Sequence, residues 1–167
     1  MNHLRHRQPF VVGALLLLAA CGNQASVAPA DAAASAALAA QQVTAQNKKI
    51  AVDFFNMVFQ DRKPQQAFDT YSTPEYIQHN ELASDGAAPA IKFLNEWFEK
   101  NPRASIEIKR VIAEGNLVAI HHHMRKSPED PGAAAVDMYR VENGKVMEHW
   151  DVFQNMPAKS ENAHPKF

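Results

Sequence analysis

The sequence predicts an α+β domain in which N-terminal helices pack on one face of a curved antiparallel sheet. Two observations carry the prediction. Apolar residues recur with a helical period up to about residue 100 and with a period of two beyond Pro102. Asn143-Gly144 lies between two β-rich runs and marks a hairpin, because both central residues of a type I′ turn need φ > 0.

The elements follow in order. Ile50, Phe54 and Val58 fall at i, i+4 and i+8, flanked by Ala51, Phe55 and Phe59, so a first helix presents a broad apolar stripe. Pro64 disfavours helix at Lys63 and ends it. A short helix is expected over residues 64–71. Ser72-Thr73-Pro74 is read as a further turn or short helix leading into Tyr76 and His79. Ile91, Leu94 and Phe98, with Trp97 alongside, form a third helix closed by Asn101-Pro102. Ile106 and Ile108 then alternate with Glu107 and Lys109 in a first strand. Residues 117–124 form a second, and residues 134–141 and 145–153 form the hairpin.

The chain has 167 residues, enough for one domain with appendages. Its 17 Lys and Arg nearly balance its 18 Asp and Glu, and no basic patch argues for nucleic acid. Arg5 and Arg7 precede an apolar run over residues 10–20. That run is too short for a membrane span, which needs about 20 residues, but it suits a signal peptide. Leu18-Ala19-Ala20-Cys21 resembles a bacterial lipobox, which implies cleavage before Cys21 and lipidation of its thiol. Gly22 rather than Asp follows, which by the same resemblance favours the outer membrane facing the periplasm. Cys21 is the only cysteine, so no intramolecular disulfide can form.

The expected division is a signal peptide over residues 1–20, an Ala/Ser-rich tether over residues 21–45, the domain over residues 46–157 and a polar tail over residues 158–167. The tether contains no aromatic residue and cannot bury enough apolar area to offset its ordering entropy. Its Ala-rich run, residues 32–40, has high helix propensity, and Asp31 is a candidate N-cap. One helix continuous with the first domain helix is therefore compatible with the sequence.

Tyr76-Ile77-Gln78-His79-Asn80, the run Val118-Ala119-Ile120-His121-His122-His123, and the string Asp137-Met138-Tyr139-Arg140-Val141-Glu142-Asn143-Gly144-Lys145-Val146-Met147-Glu148-His149-Trp150-Asp151-Val152 together resemble the SnoaL-like branch of the nuclear transport factor 2-like superfamily. The resemblance spans residues 46 to about 156. It implies a cone-shaped α+β barrel, often dimeric, with a deep small-molecule pocket on the concave sheet face. In related polyketide cyclases an aspartate in that pocket is the acid/base of an aldol ring closure. Glu81 follows His79-Asn80 where the family often has Pro, so the loop at the pocket mouth departs from the pattern.

A two-residue Asn143-Gly144 loop pairs Arg140 with Met147, Met138 with His149 and Val136 with Asp151. One face then carries Val136, Met138, Arg140, Met147, His149, Asp151 and Phe153, and has the character of a pocket wall. The other carries Asp137, Tyr139, Val141, Val146, Glu148, Trp150 and Val152. A three-residue loop with a bulge would instead bring Asp137 to the His149 side.

Asp151 among apolar neighbours is the expected proton-transfer residue, because desolvation disfavours its carboxylate, and His149 is its expected partner. The expected ligand contacts are His79, His121, His123, Met138, Met147, Arg140, Phe153 and Tyr76. His121 and His123 share a strand face with metal-ligand spacing, but alternation alone accounts for that, so neither a metal nor a cofactor is expected. Which of His121, His122 and His123 faces the pocket is open. An apolar outer sheet face, with Trp150 and Tyr139, suggests a homodimer. No thiol lies in the domain and no nucleophile elbow is present, so covalent catalysis has no support. Three readings result: an acid/base enzyme acting on a small, mostly apolar carbonyl compound, a non-catalytic lipoprotein that binds such a molecule, or an interaction module.

Overall fold

In a computed structural model the described residues are 29–164 and 166–167. The expected signal segment and Cys21 lie outside them. The order of elements is α1 (Pro29–Phe59), α2 (Pro64–Tyr71), β1 (Ser72–Gln78), α3 (Ala87–Lys100), β2 (Ser105–Glu114), β3 (Leu117–Arg125), β4 (Ala133–Glu142) and β5 (Lys145–Asn155).

Helix α1 joins the Ala-rich run to the first domain helix without a break. Residues 30–43 are exposed, so propensity rather than packing supports that half. Asn47 is its first buried residue, and its Nδ2 donates to Gly115 O at 3.0 Å, tying α1 to the β2–β3 turn. Ala51, Phe54, Phe55 and Val58 then face the sheet and are almost wholly buried. Pro64 opens α2, where its missing N–H costs nothing.

Residues 72–78 form a strand, not the turn or helix expected. β1 lies parallel to β5, with Ser72 opposite Val146 and Gln78 opposite His149. A parallel partner more than seventy residues away leaves no local signature, and Pro74 masks the strand character. An edge strand tolerates Pro74, since an unpaired N–H there has no ladder partner to lose. The Ser72 hydroxyl, buried, donates to Val146 O at 2.7 Å.

The sheet runs β1-β5-β4-β3-β2, antiparallel except at β1. Irregularities interrupt β2 near Lys109 and β5 at Met147. Each adds a residue to one strand and bends it, which curls the sheet around α1 and α3. The core between helices and sheet includes Phe54, Phe55, Phe68, Ile120, Tyr139 and Val146.

The bulge at Met147 corrects the expected hairpin register. Asn143 (φ 51°) and Gly144 (φ 78°) form the two-residue turn, and Glu142 faces Lys145 as expected. Beyond the bulge, however, Arg140 faces Glu148, Tyr139 faces His149 and Asp137 faces Asp151. The Asn143-Gly144 turn is local and legible, but a bulge beyond it carries no turn signal. His149, Asp151 and Phe153 therefore share the concave face with Asp137 and Tyr139, and Met138, Arg140 and Val136 face outward.

Candidate active site

The concave face and the helices enclose a cavity of about 370 Å³, within the usual range of ligand pockets, about 300–1,000 Å³. Phe54, Val58 and Phe59 of α1 and Phe93, Leu94 and Trp97 of α3 form its apolar walls. Tyr76 and Gln78 reach it from β1, His122 from β3, Asp137 and Tyr139 from β4, and His149, Asp151 and Phe153 from β5. Leu82, Lys126 and Asn155 also line it, and Leu82 is largely exposed.

Strand alternation decides the histidine run. Val118, Ile120, His122 and Met124 share one side of β3, and Val118 and Ile120 are fully buried. His122 is thus the buried histidine of the three. The sequence held a signal for this: residues 118 and 120 are β-branched, whereas Ala119 leaves the other side weakly apolar.

Asp137 is the electrostatic centre. It is 3 % exposed, with His122 Nε2 at 3.2 Å from Oδ2 and His149 Nε2 at 3.4 Å from Oδ1. The Tyr139 hydroxyl donates to Oδ2 at 3.4 Å, a long bond. Burial acts to raise the Asp137 pKa, but the adjoining His122 and His149 rings outweigh it and hold the carboxyl well below the ordinary carboxylate range. His122 lies close to Asp137 but off the hydrogen-bond direction, and neither of its ring nitrogens has a hydrogen-bond partner among the described residues. The contact is chiefly Coulombic.

The hydrogen bonding of His149 follows from its neighbours. Gln78 Oε1 accepts the Asn80 backbone N–H at 2.9 Å, which fixes that atom as the amide oxygen. His149 Nδ1 lies 2.8 Å from the same oxygen and is the donor. Nε2 faces Asp137 Oδ1 at 3.4 Å. Tyr139 stacks on the His149 ring at 5.0 Å between centroids, which holds its plane.

Asp151 lies beside this pair and lines the cavity. Burial raises its pKa, and the Asp137 charge adds to that. The Asn80 hydrogen bond and the His149 charge oppose the rise without cancelling it. Asn80 Nδ2 donates to Oδ2 at 2.5 Å, so the carboxyl is oriented from the loop after β1. Tyr76 is buried, and burial with the Asp137 and Asp151 charges pushes its phenol well above the ordinary value, so it faces the cavity as a neutral donor.

The residues expected at the ligand divide in two. Asp151, His149, Phe153 and Tyr76 line the cavity. His79, His121, His123, Met138, Arg140 and Met147 do not. His79 lies just past β1, stacks on Trp150 at 4.9 Å and meets Glu148 Oε1 at 2.8 Å. Arg140 pairs with Glu148 and Glu142. His121 Nδ1 accepts from Arg110 at 3.0 Å, and His123 Nε2 donates to Pro131 O at 2.9 Å. Phe167 stacks over His123 at 4.5 Å. Met147 is the bulged residue, and its sulfur meets the Thr73 hydroxyl. The register shift and the alternation of β3 account for each of these except His79, which the strand β1 turns outward. Asp137, Tyr139, His122, Gln78 and Asn80 were not singled out as ligand or catalytic contacts. Asp137 would have entered through the bulged alternative; Gln78 and Asn80 enter only because β1 is a strand.

The SnoaL-like domain family matches residues 51–149. The chain belongs to this family. Among solved structures, it resembles a candidate SnoaL-like polyketide cyclase from Jannaschia at 20% identity, with a TM-score of 0.54 over 66% of this chain and 87% of that one. A candidate ketosteroid isomerase from Kribbella flavida aligns with a TM-score of 0.57 at 15% identity, over 71% of this chain and 85% of that one. AclR, a candidate hydroxylase from Streptomyces galilaeus, aligns with a TM-score of 0.55 at 19% identity, over 66% and 90% respectively. None of the curated proteins matches the sequence. At these identities the neighbours share the SnoaL-like fold, and their named activities differ, so the fold alone selects no chemistry.

Proposed function

We propose that this SnoaL-like domain binds a small, mostly apolar carbonyl compound in its pocket and moves a proton within it, by aldol cyclisation, isomerisation or hydration. The observation that carries the reading is Asp151. It is a carboxyl with a raised pKa at an apolar cavity, next to a buried Asp137–His149 pair. A base poised above the ordinary carboxylate range takes a proton α to a carbonyl and returns it later. Tyr76 supplies a neutral O–H for the oxygen on which charge develops. The aromatic and aliphatic walls exclude water and set the apolar character of the ligand. The candidate polyketide cyclase and ketosteroid isomerase among the neighbours act on substrates of this kind by their names, which is consistent with the reading.

Hydrogen–deuterium exchange into a panel of cyclic and linear ketones, followed by mass spectrometry, tests it. Wild-type chain should accelerate α-exchange, and Asp151→Asn should lower the rate about 10²-fold or more, the usual weight of a positioned base. Saturable ketone binding with equal, uncatalysed exchange in both would leave a non-catalytic binder.

The N-terminal residues support export and anchoring through a lipid on Cys21 at the outer membrane, with residues 22–45 as spacer. Among the described residues no helix is long and apolar enough to cross a membrane. A mature mass with diacylglyceryl added to Cys21 is the expected result, and its absence ends the claim.

A further inference from the structure

The geometry points to a divalent transition-metal site on the pocket floor, with His149 Nε2 and the carboxylates of Asp137 and Asp151 as ligands. One donor atom from each of these three residues lies within 4.8 Å of the others. Tetrahedral ligands at about 2.1 Å from an ion lie about 3.4 Å apart. His149 Nε2 and Asp137 Oδ1 already stand at 3.4 Å, and closure draws the third donor in by at most about 1.4 Å. The sequence offered a different metal pattern, His121 and His123, and those two side chains are engaged on the outer face of the sheet. The register shift at Met147 brings this other donor set together.

Three independent features suit the site to an ion. First, Gln78 Oε1 accepts a hydrogen bond from His149 Nδ1, which turns Nε2 toward the carboxylates. Metal-bound histidines characteristically carry such a partner on the other nitrogen. Second, Asn80 donates to Asp151 Oδ2, leaving Oδ1 as its free donor atom. Third, His122 is 1 % exposed, lines the same cavity, has two unpartnered ring nitrogens and stands 3.2 Å from Asp137. It can serve as a fourth ligand after a side-chain rotation, or stay as a buried partner for Asp137. One imidazole and two carboxylates form a borderline donor set that fits Zn²⁺, Co²⁺, Fe²⁺ or Mn²⁺ rather than Cu⁺. The remaining coordination positions would face the pocket.

The site shares its residues with the acid/base reading but does not depend on turnover.

The test is Co²⁺ titration of the full chain in detergent, purified without a polyhistidine tag and stripped with chelator. Visible absorption and calorimetry with Zn²⁺ are the readouts. Saturation at one equivalent per chain is expected, with a melting temperature raised by Zn²⁺. Asp151→Asn, which keeps the side-chain shape, should reduce bound Co²⁺ to less than a tenth of an equivalent. Gln78→Leu should weaken binding 10–100-fold without removing a ligand. The triple substitution of His79, His121 and His123 by Ala should change nothing. Absence of saturable binding up to millimolar ion, or binding lost in the triple variant and retained in Asp151→Asn, overturns the site. Ketone exchange measured with chelator present separates the two readings. Asp151-dependent exchange without metal binding removes the metal site alone, and Asp151-dependent metal binding without exchange removes the acid/base function alone.

Discussion

Asp137 and Asp151 sit opposite each other in the hairpin, yet their surroundings drive their acidities apart. Two histidines flank Asp137, so its carboxylate persists despite full burial. Asp151 faces an apolar cavity and gains less from its neighbours. Paired carboxyls of unlike acidity mark a division between a structural charge and a working one. Because the folded-state pKa of Asp137 is depressed, its stabilisation is complete above the unfolded value of about 3.9 and is lost as pH falls through and below that value. Asp137→Asn removes the buried carboxylate that His122 and His149 flank, and a loss of about 3 kcal/mol is expected in chemical denaturation at pH 7. Its acid limb below pH 4 should be shallower than the wild type's. The pKa of Asp151 is raised, so its base form builds above the ordinary carboxylate range. Proton-exchange rate should therefore rise with pH through that displaced value, and Asp151→Asn should abolish the rise.

At the scale of elements, two local devices shape the site. The Met147 bulge rotates the outer part of β5 by one residue relative to β4, which is what unites Asp137, His149 and Asp151. Deleting Met147 should restore a regular ladder while keeping Tyr139 opposite His149 and Asp137 opposite Asp151. Ketone and Co²⁺ binding retained, with the sheet intact in far-ultraviolet circular dichroism, checks this. The second device is Gly132 before β4, with φ +81°. A Cβ there would lie 2.2 Å from Met124 O and 2.9 Å from His123 Nε2. Backbone conformation and space both demand glycine, so Gly132→Ala should cost about 2–4 kcal/mol and lower the melting temperature. Gly144 also has positive φ, but open space surrounds it, so Gly144→Ala should cost less.

For the molecule as a whole, the outer sheet face bears on assembly. Ile112, Leu117, Met138 and Val152 are all exposed there, Val152 at 60% and Ile112 at 70%. Tyr139 and Val141, expected on this face, are instead buried in the core by the register shift. Trp150 stays on it beneath His79. A homodimer through this face is our expectation, and light scattering should give twice the chain mass, falling to the monomer in Val152→Asp. A monomer at high concentration would count against it.

Much of the fold was legible because it is written in local periodicity. The stripe on α1, the bounds of α2, the apolar face of α3 and the Asn143-Gly144 turn each arise from residues a few positions apart. Asp151 and His149 were legible as a pair for the same reason, since two residues apart on a strand means one face. The sequence by itself determined the α+β class, the family and that pair. Only the tertiary structure decided what stands around it. β1 is a strand because β5 pairs with it from more than seventy residues away. Asp137 joins the site because a bulge shifts the ladder by one. Gln78, Asn80 and His122 complete the site because sheet curvature brings three strands and a loop to one floor. These are contacts between distant parts of the chain, and their energy is realised only when the whole domain is assembled.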